Sequence, residues 1–231
     1  MAPRSTERPT LTREGIVEAA VALIDHQGLG ALSMRRLGSE LGVEAMALYR
    51  YVNGREDLLE AVVEDVTSQV RLSDDMHLGP HGGWQAYLQE LAHQVRDLTF
   101  AHPQVFPLIA TRPPAAPWLR PPLRSLRVVE DFLQVLTAEG FSDDDAVAAY
   151  RTFTSFLIGQ LLLAAAQRGA PMPASEEIDE GNSAAPTSTE SITEYPAIER
   201  LKGRLAEDHS DAEFERALEE MLNRIDTRVS R

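Results

Sequence analysis

The residues with the spacing to do chemistry lie between positions 33 and 51, which read Ser-Met-Arg-Arg-Leu-Gly-Ser-Glu-Leu-Gly-Val-Glu-Ala-Met-Ala-Leu-Tyr-Arg-Tyr. A short helix over Ser33–Glu40 presents Met34, Leu37 and Leu41 inward. Leu41-Gly42-Val43 makes a tight turn in which Gly42 is free to take positive φ. A second helix over Glu44–Arg50 is anchored by Val43, by Ala47 or Leu48, and by Val52. This spacing fits a helix–turn–helix, in which one helix braces so that the next enters the roughly 12 Å major groove. It fits equally an αα-corner inside a helical bundle. Other chemistry is poorly supplied. The chain has no cysteine, which excludes disulfides, thiol nucleophiles and Cys-ligated metals. Gly-x-Ser-x-Gly, His-Glu-x-x-His and a phosphate-cradling glycine loop are absent from the sequence. Gly28-Leu29-Gly30 lacks a third glycine and a flanking strand. His77 and His81 have helical metal spacing, but Gly79 and Pro80 between them predict a loop. No catalytic residue, metal site or cofactor is expected, and an enzyme is the least supported class.

The elements that position residues 33–51 are helical. Ile16, Ala19, Ala20, Leu23 and Ile24, then Leu58, Leu59, Val62, Val63 and Val66, recur at helical spacing. Thr12 is placed to cap a first helix and Gly28 to end it. Ser33 caps the short one. Asn53 with Glu56, Ser142 with Asp145 and Ser210 with Glu213 have capping-box spacing. One helix begins near Pro121 and Pro122 and ends at Gly140. The reading is all-α, with nine or ten helices. His77–Gly83 and Arg112–Pro117 read as loops, and 169–196, rich in Pro, Ser, Thr and Glu, as a long mobile one.

The chain of 231 residues has a net charge of −14, unevenly divided. Residues 1–55 hold seven arginines against six acids, a balance of +1, and the remainder carries −15. A head that tolerates a polyanion and a body that repels one follow from that asymmetry. The first residues lack an apolar run of signal-peptide type, and the longest uncharged stretch, Thr152–Gln167, is shorter than a membrane span of roughly 20 residues. The expectation is a cytoplasmic protein without a membrane partner.

Residues 12–66 resemble the DNA-binding head of the tetracycline-repressor (TetR) family of bacterial regulators. The resemblance rests on Ile16-Val17-Glu18-Ala19-Ala20, Leu32-Ser33-Met34-Arg35-Arg36-Leu37, Leu41-Gly42-Val43, Ala47-Leu48-Tyr49-Arg50-Tyr51-Val52 and Arg55-Glu56-Asp57-Leu58-Leu59. More loosely, Thr111-Arg112-Pro113 and Gly140-Phe141-Ser142 resemble the family's regulatory body. The resemblance implies a flexible arm over 1–11, a helix–turn–helix domain over 12–58 and a ligand-binding, dimerising body over 59–231. It implies a homodimeric repressor that binds a palindromic double-stranded operator and is released by a small molecule. The alternative is a ligand-binding or scaffold protein whose head no longer binds DNA.

Roles follow from the resemblance residue by residue. Ser33, Arg35, Ala45, Met46, Ala47, Tyr49, Arg50, Tyr51 and Arg55 form the DNA surface. Arg35 reaches a guanine edge, Ala45, Met46 and Ala47 face bases, Tyr49 meets a phosphate, Arg50 and Tyr51 make polar contacts, and Arg55 meets a phosphate. The ligand pocket is formed by Tyr87, Leu91, Val95, Leu108, Ile109, Arg112, Phe132, Phe153, Phe156 and Gln160. Tetracycline repressors hold a magnesium–tetracycline chelate through polar residues, including a His shortly before Thr-Arg-Pro. Leu108 stands at that place here, and Leu91 and Val95 stand at polar fifth-helix positions. The implied effector is therefore hydrophobic or aromatic and metal-free. The dimer interface comprises Ser155 and Gly159 on the eighth helix, with Leu218, Met221, Leu222 and Ile225 on the last.

Overall fold

The computed structural model describes residues 11–70, 83–112, 119, 125–170 and 195–229. Residues 1–10 of the arm, nearly all of the His77/His81 loop, Pro121 and Pro122, and nearly all of the 112–117 and 169–196 loops lie outside the described residues; the helix expected to begin near Pro121 and Pro122 begins instead at Leu126, capped by Ser125. The chain divides into two compact units, Met1–Glu177 and Ile178–Arg231. Among the described residues the regular structure is entirely helical.

The first unit opens with α1 (Arg13–Gln27). Its first turn is closed by Gly15 N donating to Thr12 Oγ1 at 3.1 Å. It stops at Gly28, whose φ of 81° suits a residue without Cβ. A 3-10 turn (Leu29–Ala31) leads to α2 (Met34–Glu40), where Arg36 N donates to the Ser33 hydroxyl at 3.2 Å. α3 (Ala45–Leu48) and α4 (Arg55–Thr67) follow. α3 is shorter than the expected Glu44–Arg50, since Tyr49, Arg50 and Tyr51 leave the helix as turns. The expected Asn53–Glu56 box is also displaced. Gly54 is the cap, and Asn53 N donates instead to Asp57 Oδ2 at 2.8 Å.

Ile16, Ala20, Ile24, Leu37, Leu48, Val52, Leu58, Leu59, Val62 and Val66 form one buried core. Between the two residues left open as anchors, Leu48 is the buried one and Ala47 is half-exposed. Leu98, Val105 and Leu108 belong to the same core, so the small head shares apolar cover with the elements after it. Each such aliphatic contributes about 1.5–3 kcal/mol on burial.

Beyond the head run α5 (Gly83–Ala101), α6 (Phe106–Thr111), α7 (Leu126–Ala138) and α8 (Asp143–Gln167). α8 packs on α5, α6 and α7. It begins at Ser142, which accepts from Asp145 N at 3.2 Å, and Asp143, Asp144 and Asp145 complement its N-terminal dipole. Phe132 packs edge-on to Tyr150 at 5.5 Å and tilted on Phe153 at 5.6 Å, and Trp84 packs edge-on to Phe141 at 5.2 Å. By length and composition alone α8 would suffice to cross a membrane, although its longest uncharged run is only 16 residues. Its inner face, from Ala146 through Phe153 and Leu161 to Ala165, is buried.

The second unit holds α9 (Pro196–Leu205) and α10 (Ser210–Val229). Ser210 does not cap α10; its N–H donates to Asp208 Oδ1 at 3.0 Å. α9 is exposed along its length, while Phe214, Leu218, Met221, Leu222 and Ile225 of α10 are buried.

Candidate nucleic-acid interface and ligand cavity

The close packing of α2 on α3 is enforced at Gly38. A Cβ there would lie 2.8 Å from the Val43 carbonyl oxygen and 3.2 Å from Ala45 N. Only glycine lets the two backbones approach this closely. Gly42 supplies the turn between them, at φ 66°. The two helices leave a polar cleft lined by Ser33, Arg35, Arg36, Ser39, Val43, Glu44 and Ala45.

Around that cleft the sequence-derived DNA residues separate into two groups. Ser33, Arg35, Met46, Tyr49 and Arg50 are exposed, with Met46 at 75% and Tyr49 at 46%. Large apolar side chains so exposed on a four-residue helix gain nothing from the fold and suit contact with another surface. Ala45 and Ala47 are half-exposed. Tyr51 is placed differently: its ring is half-buried against the head core, and its carbonyl accepts from Arg13 Nη1 at 3.0 Å. Arg55 is half-buried at the start of α4, its Nε donating to the Leu32 carbonyl at 3.4 Å. It joins α4 to the segment entering α2. Arg36 is tied to Gln27 Oε1.

α1 and α4 are clamped by charge. Arg13 Nη2 stands 3.3 Å from Asp57 Oδ1. The hydrogen bond from Arg13, followed by that from Asn53 N, holds the Asp57 carboxyl below its ordinary value.

Behind the head lies an apolar cavity with about 80 Å³ of water-accessible space, several times what one water needs. Thr67 and Val70 at the end of α4, Leu91, Val95 and Leu98 of α5, Phe106, Ile109 and Ala110 of α6, Ser125 and Val128 at the start of α7, and Phe153, Thr154, Leu157 and Ile158 of α8 line it. None of these is ionisable. Among the expected pocket residues, Leu91, Val95, Ile109 and Phe153 line this cavity. Tyr87 and Phe132 are fully buried elsewhere in the body core, and burial pushes the Tyr87 phenol above its ordinary range, with Asp131 adding to the effect. Phe156 and Gln160 are half-buried and do not line it. Leu108 belongs to the head core. Its neighbour Ile109, on the same six-residue helix, lines the cavity and also packs against the head core. Thr67, Val70 and Thr154 were not among the expected residues. Thr154 stands between Phe153 and Ser155, two residues after Thr152, so the local sequence carries no signal that singles it out.

Arg112 is an ion-pair residue. Its guanidinium pairs with Glu56 and Glu60 of α4, so the end of α6 is fastened to the last helix of the head. A second tie joins His102 Nδ1, just after α5, to Asp25 Oδ2 of α1 at 2.7 Å. Among the described residues no three metal-ligating side chains converge.

On the outer face of α8, Val147, Arg151, Ser155, Gly159 and Leu163 are exposed at four-residue steps. The α10 residues expected beside them at a dimer interface, Leu218, Met221, Leu222 and Ile225, are 1–9% exposed in the single chain.

Comparison with known proteins matches this arrangement. Residues 16–62 match the family of bacterial regulatory proteins called the tetR family, and residues 78–229 match the tetracyclin repressor-like C-terminal domain. The HTH-type transcriptional repressor DrrR1 of Streptomyces coeruleorubidus is 34% identical over 157 residues, which cover 68% of this chain and 55% of that protein. The chain thus spans little more than half the length of that relative. A possible TetR-family transcriptional regulator from Streptomyces coelicolor A3(2) superposes with a TM-score of 0.70 at 27% identity, covering 95% of this chain and all of that one. The Streptomyces coelicolor TetR-family protein ActR, solved in complex with actinorhodin, superposes at 0.66 with 25% identity, covering 94% and 96%. With one family profile covering the helix–turn–helix and another covering more than half of the chain, this protein belongs to the TetR family of bacterial regulators.

Proposed function

We propose that the protein is a transcriptional repressor that binds a palindromic operator as a homodimer and is released by a small, neutral, mostly apolar effector. The observation that carries this reading is the position of the apolar cavity. Its wall includes Val70 and Thr67, the latter the last residue of the same α4 whose first residues, Arg55 and Asp57, brace the helix–turn–helix. A molecule that moves α6 or α8 therefore acts directly on the helix that carries the head. Arg112, bridging α6 to Glu56 and Glu60, is the polar part of that link.

The reading divides the chain into a DNA-binding head over 12–58 and a regulatory body over 59–231. In the head, Arg35 reads a base edge, Ala45, Met46 and Ala47 offer methyl contacts to thymine, and Tyr49 and Arg50 meet the backbone. One four-residue helix makes few base contacts, so two heads on one palindrome supply the specificity. The exposed α8 stripe, small at Ser155 and Gly159 and apolar at Val147 and Leu163, suits close approach of a second copy. The repressor name of DrrR1 and the actinorhodin bound to ActR support repression and control by a small molecule.

The cavity carries no side chain suited to magnesium, which demands oxygen ligands and retains its waters. Release is then independent of metal. Operator duplexes followed by fluorescence anisotropy test this while 1-tetralone, a neutral aromatic ketone, is added. The reading predicts a fall in operator affinity of the same size with and without EDTA. Release by magnesium–tetracycline alone contradicts it.

A further inference from the structure

Helical threonines in this protein have a common habit. Thr67, Thr99, Thr111, Thr137 and Thr152 each donate a side-chain hydrogen bond to the carbonyl four residues back, at 2.7–2.9 Å. That bond satisfies a hydroxyl which would otherwise be costly to bury. Thr154 breaks the habit. It is 1% exposed, lies mid-way along α8 among apolar neighbours, and its Oγ1 has no hydrogen-bond partner. Thr152, two residues earlier on the same helix, makes the usual bond to Ala148 O at 2.9 Å. Thr154 also lines the apolar cavity.

The other hydroxyls on the cavity wall are engaged. Thr67 Oγ1 donates to Val63 O, and Ser125 Oγ accepts from Val128 N to cap α7. Among the described lining residues Thr154 alone has a buried hydroxyl that makes no hydrogen bond at all. A buried hydroxyl left unpaired weakens the empty protein and is retained at no cost only if something else pairs with it.

We propose that Thr154 is the polar anchor of the effector site, and that the effector is a neutral, largely apolar molecule carrying a carbonyl-type oxygen that accepts a hydrogen bond from Thr154 Oγ1. The inference rests on the reading of this cavity as the effector site. Charge on the ligand is disfavoured because no ionisable side chain lines the wall to balance it. The rest of the wall, from Leu91 and Val95 to Phe106 and Ile109, supplies affinity through burial without fixing orientation. One hydroxyl in an apolar chamber fixes orientation and sets specificity, since an analogue lacking the oxygen leaves the hydroxyl unpaired again.

The test uses the full chain and a matched pair of probes, 1-tetralone and tetralin, which differ by one carbonyl oxygen. Calorimetry gives the ratio of their affinities for wild type, Thr154→Val and Thr154→Ser. Valine preserves the shape and removes the hydroxyl; serine keeps it. The proposal predicts that the tetralone-to-tetralin ratio falls by about fivefold in Thr154→Val and is retained in Thr154→Ser. It predicts also that ligand-free Thr154→Val melts higher than wild type, by about 2–4 °C, because the unpaired hydroxyl is gone. A ratio unchanged in Thr154→Val, or a lower melting temperature, overturns the anchor while leaving the cavity as the effector site. Failure of both probes to bind wild type overturns the effector-site reading itself and the anchor with it.

Discussion

Arg112 Nε lies 3.4 Å from Glu60 Oε2, across the joint between the end of α6 and the face of α4. The same guanidinium pairs with Glu56, one turn earlier on α4. Arg112 is 14% exposed, whereas Glu56 and Glu60 are 72% and 50% exposed. The cation is thus held by its surroundings and the acids come to it. Thr111 and Arg112 directly follow Ile109 and Ala110 of the cavity wall, so in the proposed mechanism this pair is the route from the wall to α4.

Replacing Arg112 with Ala removes its ion pairs to two exposed carboxylates, at a cost from those pairs of about 1 kcal/mol or less. The larger effect is on coupling. Operator affinity without effector should stay within a few-fold of wild type, while the effector-dependent drop in affinity should shrink by about tenfold. Anisotropy with and without saturating 1-tetralone measures both. An undiminished response would mean that α6 does not act on α4 through Arg112.

Gly38 and Gly42 separate two reasons for keeping glycine. A methyl group at 38 collides with the Val43 carbonyl oxygen, whereas at 42 it meets open space and only the positive φ opposes it. Gly38→Ala should therefore destabilise the head by about 1–3 kcal/mol. Gly42→Ala should cost about 1 kcal/mol. Thermal melts of the two variants check the order, and a reversal would argue against the tight α2–α3 contact.

The Arg13–Asp57 pair makes the head acid-sensitive. Asp57 has a lower pKa folded than its ordinary 3.8. Its contribution is therefore complete above that value and is lost as pH falls through the lower folded value, when the carboxyl protonates and releases Arg13 and Asn53. Asp57→Asn should be less stable than wild type at neutral pH, and the gap should close as pH is lowered below the ordinary carboxylate range. Urea midpoints across pH 2–7 report this, and a constant gap would contradict the assignment.

The outer stripe of α8 is accessible to a direct test because Leu163 is 63% exposed in the single chain. Leu163→Glu should fold as wild type, sediment as a monomer, and lose operator affinity by about a hundredfold although the head is untouched. A charged substitution at Leu218, which is 1% exposed, is the less informative variant, since it disturbs the chain's own packing. A Leu163→Glu dimer of wild-type stability would place the interface elsewhere.

Much of the head was legible because its signals are local. Thr12, Ser33 and Gly28 act on bonds within a few residues, and the Ile16–Ile24 and Leu58–Val66 runs are long enough for their periodicity to define a buried face. What could not be read depends on approach between distant backbones or on short elements. Gly38 looks like a weakness inside a helix until Val43 O is found 2.8 Å from its missing Cβ. α6 has six residues, too few for periodicity to show that Leu108 is buried in the head core while Ile109, packed on that core, also reaches the cavity. Thr154 follows Thr152 on the same helix, and nothing local tells that its hydroxyl, unlike that of Thr152, makes no bond to its own helix.

The central claim is that the exposed face of α2 and α3 reads DNA sequence for two copies at once. Selection from a pool of random duplexes at moderate salt, with wild type and Arg35→Ala, tests it most directly. The account predicts enrichment of a palindrome whose half-sites lie about one helical turn, 10–10.5 base pairs, apart. It predicts that Arg35→Ala weakens binding by about 1–3 kcal/mol and relaxes preference at one position in each half-site. A wild-type pool without enrichment, or a consensus unchanged by Arg35→Ala apart from uniform weakening, would contradict it: the first denies sequence reading by the head, the second denies it to Arg35.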